Sequence, residues 1–147
     1  MPTAAKLVAG CVYAAMSVFV VWLYMNAYAS SLYQINDVSL VCGAVCFITG
    51  WWVVGSKADR EDLSPTKLGL LGSFSATFWC CLVLALIYIG SRLTGPTYKS
   101  TMDVFLNVPT KTLEFLIDIF RVDIMLAIIV GGIISGHIVK RAAAIWR

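Results

Sequence analysis

Four stretches of this chain are apolar for the width of a membrane, and a fifth is apolar on one side only. Residues 5–28, 38–54, 68–89 and 122–139 carry almost no charge. An α-helix rises about 1.5 Å per residue, so roughly 17 to 20 such residues match a hydrocarbon layer of roughly 30 Å. The pattern predicts an all-α integral membrane protein with four transmembrane helices, built as one domain over residues 1–147. Residues 101–121 depart from it. There Leu113, Leu116, Ile117 and Phe120 recur at i, i+3, i+4 and i+7, while Lys111, Glu114, Asp118 and Arg121 fall on the remaining face. This is an amphipathic helical segment between the third and fourth crossings, suited to lying on a membrane surface, capping the bundle or docking on a partner. Ser100 with Asp103 gives a short capping signal, and Asn107 with Pro109 marks a second start, so two short helices are expected.

The segment ends carry their own punctuation. The first stretch imitates a secretory signal, with Lys6 before it and Ala27-Tyr28-Ala29 after it, but its apolar run exceeds the 7 to 15 residues of such a region. It is expected to be the first crossing, with Trp22, Tyr24 and Tyr28 gathered toward its far boundary. Asp37 fits the N-cap of the second, and Trp51 and Trp52 mark that segment's opposite boundary. After the charged loop SKADREDLSPTK, Ser64-Pro65 reads as an N-cap and first-turn proline for the third. With four crossings both chain ends share a side. Lys6, Lys57, Arg60, Lys67, Lys140, Arg141 and Arg147 make seven basic residues there, against four on the other, Arg92, Lys99, Lys111 and Arg121. Basic residues favour the cytoplasmic side, so the termini are expected in the cytoplasm, Trp146 at that interface, and the amphipathic segment in the periplasm of a bacterium.

Composition narrows the class further. Of 147 residues, 60% are hydrophobic and only 13% charged, too few to cover a soluble core of this size. The net charge of +3 sits near the segment ends rather than as a clustered basic face, so no nucleic-acid partner is expected. Membrane lipids are the expected surroundings. The spans hold almost no ionisable residue, so no ion path or proton relay is visible. All five cysteines, Cys11, Cys42, Cys46, Cys80 and Cys81, lie within apolar segments, where a thiol behaves as a small hydrophobe and no disulfide framework follows.

Candidate chemistry is sparse, and candidate packing faces are not. In the last crossing Gly131 with Ser135, and Gly132 with Gly136, place small side chains along one side for about two turns. Lipid is as apolar as leucine, so membrane helices associate where small residues let backbones approach. Cys42, Cys46 and Gly50 form a second small-residue stripe, expected to meet that groove. As a soft-metal site the same thiols fall short of the three or four ligands required, even with Cys80 and Cys81. His137 borders the groove as a polar or partner-facing group, weak as a ligand because a single histidine defines no site. Trp79 lies near the middle of its segment, away from the usual aromatic belt. Its N–H is expected to meet a neighbouring helix or a bound cofactor, with a lipid-facing ring as the alternative. Glu114 and Asp118 share a face but each has a cationic neighbour, which reads as a solvated surface rather than an acid/base pair. No catalytic residue, metal site or intrinsic cofactor is expected; a lipid, quinone or pigment bound along Phe74, Phe78, Trp79 and Trp22 is a third reading of the aromatic residues.

The segments MPTAAKLVAG, GWWVVGSKADR, YKSTMDVF and GGIISGHIVKRAAAIWR together resemble the TrgA family of small alphaproteobacterial membrane proteins, over nearly the whole chain. These are helix ends and packing faces rather than a catalytic signature. The resemblance implies a bacterial inner-membrane protein linked with tellurite resistance, through oxyanion uptake, export or thiol-based handling, and brings no catalytic residues with it. It also implies a lineage with purple photosynthetic bacteria, so light-harvesting, reaction-centre or respiratory assemblies become natural hosts. Joined to the packing faces, the leading expectation is a non-catalytic accessory or scaffold subunit of a larger inner-membrane complex.

Overall fold

A computed structural model of the protein describes residues 3–28, 35–58, 63–92 and 101–145, and every regular element among them is helical. Helix α1 spans Thr3–Tyr28, α2 Ile35–Thr49, α3 Pro65–Arg92, α4 Thr101–Ile119 and α5 Val122–Ile145. The second segment does not stop with α2. It continues through a π-helical turn, Gly50–Val54, whose signature is the Gly55 N–H donating to the Gly50 carbonyl at 2.8 Å. Among the described residues three helices are long and apolar enough to cross a membrane, over Ala4–Tyr24, Pro65–Gly90 and Val122–Ile145. The apolar stretch Val38–Val54 is shorter than these three.

Local signals account for the boundaries. The Lys67 N–H donates to the Ser64 hydroxyl at 3.4 Å and the Leu68 N–H to the Ser64 carbonyl at 3.0 Å, so Ser64 caps α3 and Pro65 opens it, where a missing N–H costs nothing. Helix α5 outruns its apolar stretch, continuing past Lys140 and Arg141 to Ile145. Ala142, Ala143 and Ala144 favour helix, and the long basic side chains can bury their stems while their charges stay wet. The two short helices expected over 101–121 are instead one, with Pro109 inside it. A proline there removes one i→i−4 hydrogen bond but leaves those on either side, and Thr112 adds its hydroxyl to the Val108 carbonyl at 2.8 Å. Only Phe120 and Arg121 separate α4 from α5. The expectations at residues 29–34, Arg60, Lys99, Ser100, Trp146 and Arg147, and for the side chains of Tyr28, Asp37, Asp103 and Asp118, lie outside the described residues.

The helices form a ring in the order α1, α2, α3, α5, each packed on the next and α5 closing on α1, while α4 packs on α3. Direction alternates around the ring. Gly55, after the π turn, comes against Lys6 near the start of α1, and Gly136, late in α5, against Pro65 at the start of α3. Ala5, Val54, Ala58, Leu68, Val139 and Ala143 belong to one buried cluster that ties these ends together. The first turns of α1 and the last turns of α5 therefore lie at one end of the bundle, and α4 sits beside the other end of α3, with the Phe115 ring edge-on to Tyr88 at 6.3 Å.

This order corrects one expectation. The Cys42, Cys46, Gly50 stripe does not meet the groove of α5, because α1 and α3 stand between α2 and α5. Gly50 instead admits α1: a Cβ there would lie 2.8 Å from the Ala9 carbonyl oxygen and 3.0 Å from the Tyr13 Cβ. The α5 groove is divided between two neighbours. Gly132 and Gly136 take α3, where a Cβ on Gly136 would come 2.8 Å from the Gly69 Cα; Gly131 and Ser135 take α1, with the Ser135 hydroxyl donating to the Met16 Sδ at 3.6 Å.

Candidate functional site

Two regions gather the side chains with chemistry or recognition to offer. The first is the seam between α2 and α3. Cys42 and Cys46 are one turn apart on α2 and both buried; Cys81 is buried on α3 and Cys80 half-buried. The Cys46 and Cys80 sulfurs stand 3.4 Å apart, and the Cys80 thiol also donates to the Cys42 carbonyl at 3.7 Å. The cysteines that pair are thus neither the Cys42-Cys46 repeat nor the vicinal Cys80-Cys81. Among the described residues no three His, Cys, Asp or Glu side chains are grouped to hold a metal ion.

The second region is the outer surface. Along α3 the inward positions are Leu68, Gly69, Gly72, Ser73, Ala76, Cys81, Ala85 and Ile89, which repeat at three, four and five residues and keep small groups against the bundle. Successive helical residues turn by about 100°, so Phe74, Phe78 and Trp79 are carried outward. Trp79 is 48% exposed and meets Phe78 edge-on at 6.0 Å, which makes the outward ring, not contact with a neighbouring helix of this chain, the observed arrangement. It is the fifteenth residue of α3, about 21 Å along the axis from Pro65. On α1, Phe19 and Trp22 form a second outward pair, stacked at 6.3 Å. Trp52 projects outward from the π turn, while Trp51 lies tilted against Phe47 at 5.9 Å.

Helix α4 is docked by an unexpected side. Among its described side chains Thr112 is buried, Phe115 meets Tyr88, and Lys111 lies 5.6 Å above the Tyr88 ring while paired with Glu114. The leucine-rich face is left open: Leu113 and Phe120 are exposed, Ile117 is 68% exposed, and only Leu116 is half-covered. On α5, Val122, Leu126, Val130, Ile134 and Ile138 are exposed as well. His137 is exposed on α5, and its Nδ1 is hydrogen-bonded to the Ile133 carbonyl of the preceding turn at 2.9 Å.

No family model, curated protein or solved structure matches the chain. The likeness to the TrgA family remains a reading of the sequence.

Tyr13 is the residue whose part sequence reasoning missed. Its ring is buried, and its hydroxyl crosses the bundle from α1 to donate to the Gly69 carbonyl of α3 at 2.8 Å. Gly72 makes the space, since a Cβ there would collide with the Tyr13 hydroxyl. The available signal was position: Tyr13 lies mid-segment, far from the aromatic belt formed by Trp22, Tyr24 and Tyr28.

Proposed function

We propose that this protein is a non-catalytic accessory subunit of a larger assembly in a bacterial inner membrane. It crosses four times, with the start of α1 and the end of α5 in the cytoplasm and α4 at the periplasmic surface. The observation that carries this reading is the outward patch of Phe74, Phe78 and Trp79 near the middle of α3. A tryptophan at that depth in lipid has no water for its N–H, whereas a neighbouring protein helix can supply an acceptor and a flat apolar surface. The small-residue faces are consumed inside the chain, so association runs through the aromatic surface rather than through the glycines.

Orientation is supported by charge. Lys6, Lys57, Lys67, Lys140 and Arg141 flank one end of the bundle, and Lys111 and Arg121 belong to the α4 side. The second segment, Ile35–Val54 including its π turn, is 20 residues long, which at helical rise suffices for a thin or locally adapted layer. Photosynthetic and respiratory complexes are the hosts suggested by the family resemblance.

The test is purification of the tagged chain from native membranes in mild detergent, with mass spectrometry and an absorption spectrum of the eluate. Stoichiometric recovery of a large complex with the wild type, and at least tenfold less with Phe78→Ala and Trp79→Ala combined, is the expected result. A wild-type chain that elutes free of any stoichiometric partner overturns the proposal. Tellurite tolerance of the deletion strain, compared with its parent, tests the activity implied by the resemblance.

A further inference from the structure

The α2–α3 seam has a use beyond packing. Disulfide bonds join Cβ atoms about 3.5 to 4.5 Å apart through an S–S bond of about 2.05 Å. Cys42 and Cys46 are successive on one helix face, where Cβ atoms are about 5 to 6 Å apart, too far for that bond. Cys80 and Cys81 diverge by about 100° around α3. Across the two helices the Cys46 and Cys80 sulfurs already touch at 3.4 Å, and bonding them requires closure by about 1.4 Å. Cys80 is half-buried, so the pair is not sealed within the bundle. The Cys42 carbonyl holds the Cys80 thiol in that seam.

We propose that Cys46 and Cys80 are a redox-active dithiol that closes into a disulfide locking α2 to α3, with a lipid-dissolved quinone as the oxidant. The seam lies among apolar helix interiors, where charged oxidants do not enter, so the co-reactant must be neutral and soluble in lipid. Both S–H bonds break and one S–S bond forms. The two electrons and two protons released reduce the quinone to its hydroquinone. Reduction by the reverse step frees the helices. This inference does not depend on the accessory-subunit reading.

The full-length protein in phospholipid nanodiscs is incubated with duroquinone, whose fully substituted ring resists thiol addition, then denatured and titrated with a maleimide. Alkylatable thiols should fall from five to three, the intact mass should drop by two hydrogen atoms, and dithiothreitol should restore both. A non-reducing digest should contain one linked peptide joining Cys46 to Cys80. C46A and C80A should each retain all their thiols, while C81A should still lose two. Five thiols persisting in the wild type, a linked peptide between other cysteines, or a disulfide between two copies of the chain overturns the proposal. The wild-type digest decides the question even where a cysteine variant fails to fold.

Discussion

At the scale of single residues, the glycines of this bundle are far from equivalent. A methyl group on Gly69 would collide with the Gly132 carbonyl, a backbone atom that can move only by parting α3 from α5. Around Gly90 there is open space. Gly69→Ala should therefore destabilise the protein by about 1 to 3 kcal/mol, the usual cost of overpacking. Gly90→Ala should be neutral or stabilising by up to about 1 kcal/mol through helix propensity. Unfolding in mixed micelles by increasing sodium dodecyl sulfate, followed by circular dichroism, ranks the two, and equal effects would contradict the seam described. Tyr13→Phe removes a buried hydrogen bond without changing the ring, and a loss of about 1 kcal/mol is expected in the same assay. These interactions resisted a sequence reading because a glycine's spacing tells which face it occupies, not which neighbour it admits. The i,i+4 pairs of the last crossing were legible; their division between α1 and α3 was not.

At the scale of elements, α4 shows how periodicity locates a face without assigning its partner. Leu113, Leu116, Ile117 and Phe120 stand out in the sequence, yet the side that meets α3 is marked by Thr112, Phe115 and Lys111. The more apolar side remains open because α3 is already covered by α2 and α5 on its small-residue faces, leaving Tyr88 near its end as the docking point. Placed at the start of α5, that open face is suited to the boundary between headgroups and acyl chains. A nitroxide on Ile117→Cys, in a background with the native cysteines replaced by alanine, should be relaxed more by oxygen than by a water-soluble nickel chelate. A label on Glu114→Cys should show the reverse. Equal nickel access at both positions would mean that α4 stands in water. Pro109 invites a second check at this scale: Pro109→Ala restores one N–H donor to the middle of α4 and should slow amide exchange over residues 105–113 severalfold.

At the scale of the whole molecule, alternation of direction around the ring places the start of α1 and the end of α5 together. With Lys6, Lys57, Lys67, Lys140 and Arg141 at that end, a green fluorescent protein fused after Arg147 should fluoresce, and alkaline phosphatase fused after Thr97 should be active. The opposite pair of results would invert the orientation, and activity of both reporters at both sites would contradict a unique topology.

What the sequence determined by itself was the set of long apolar segments, the cap at Ser64-Pro65, and the presence of small-residue faces. Each depends on neighbours within a few positions along the chain, through helical rise, local hydrogen bonding and periodicity. The tertiary structure alone decided that α2 ends in a π turn, that the α2 stripe meets α1 and α3 rather than α5, that Trp79 turns outward, and that Cys46 finds Cys80. Those outcomes follow from the order of helices around the ring and from the rotation of each about its axis. Both are set by which small residues allow close approach across the whole bundle, a condition no single segment carries.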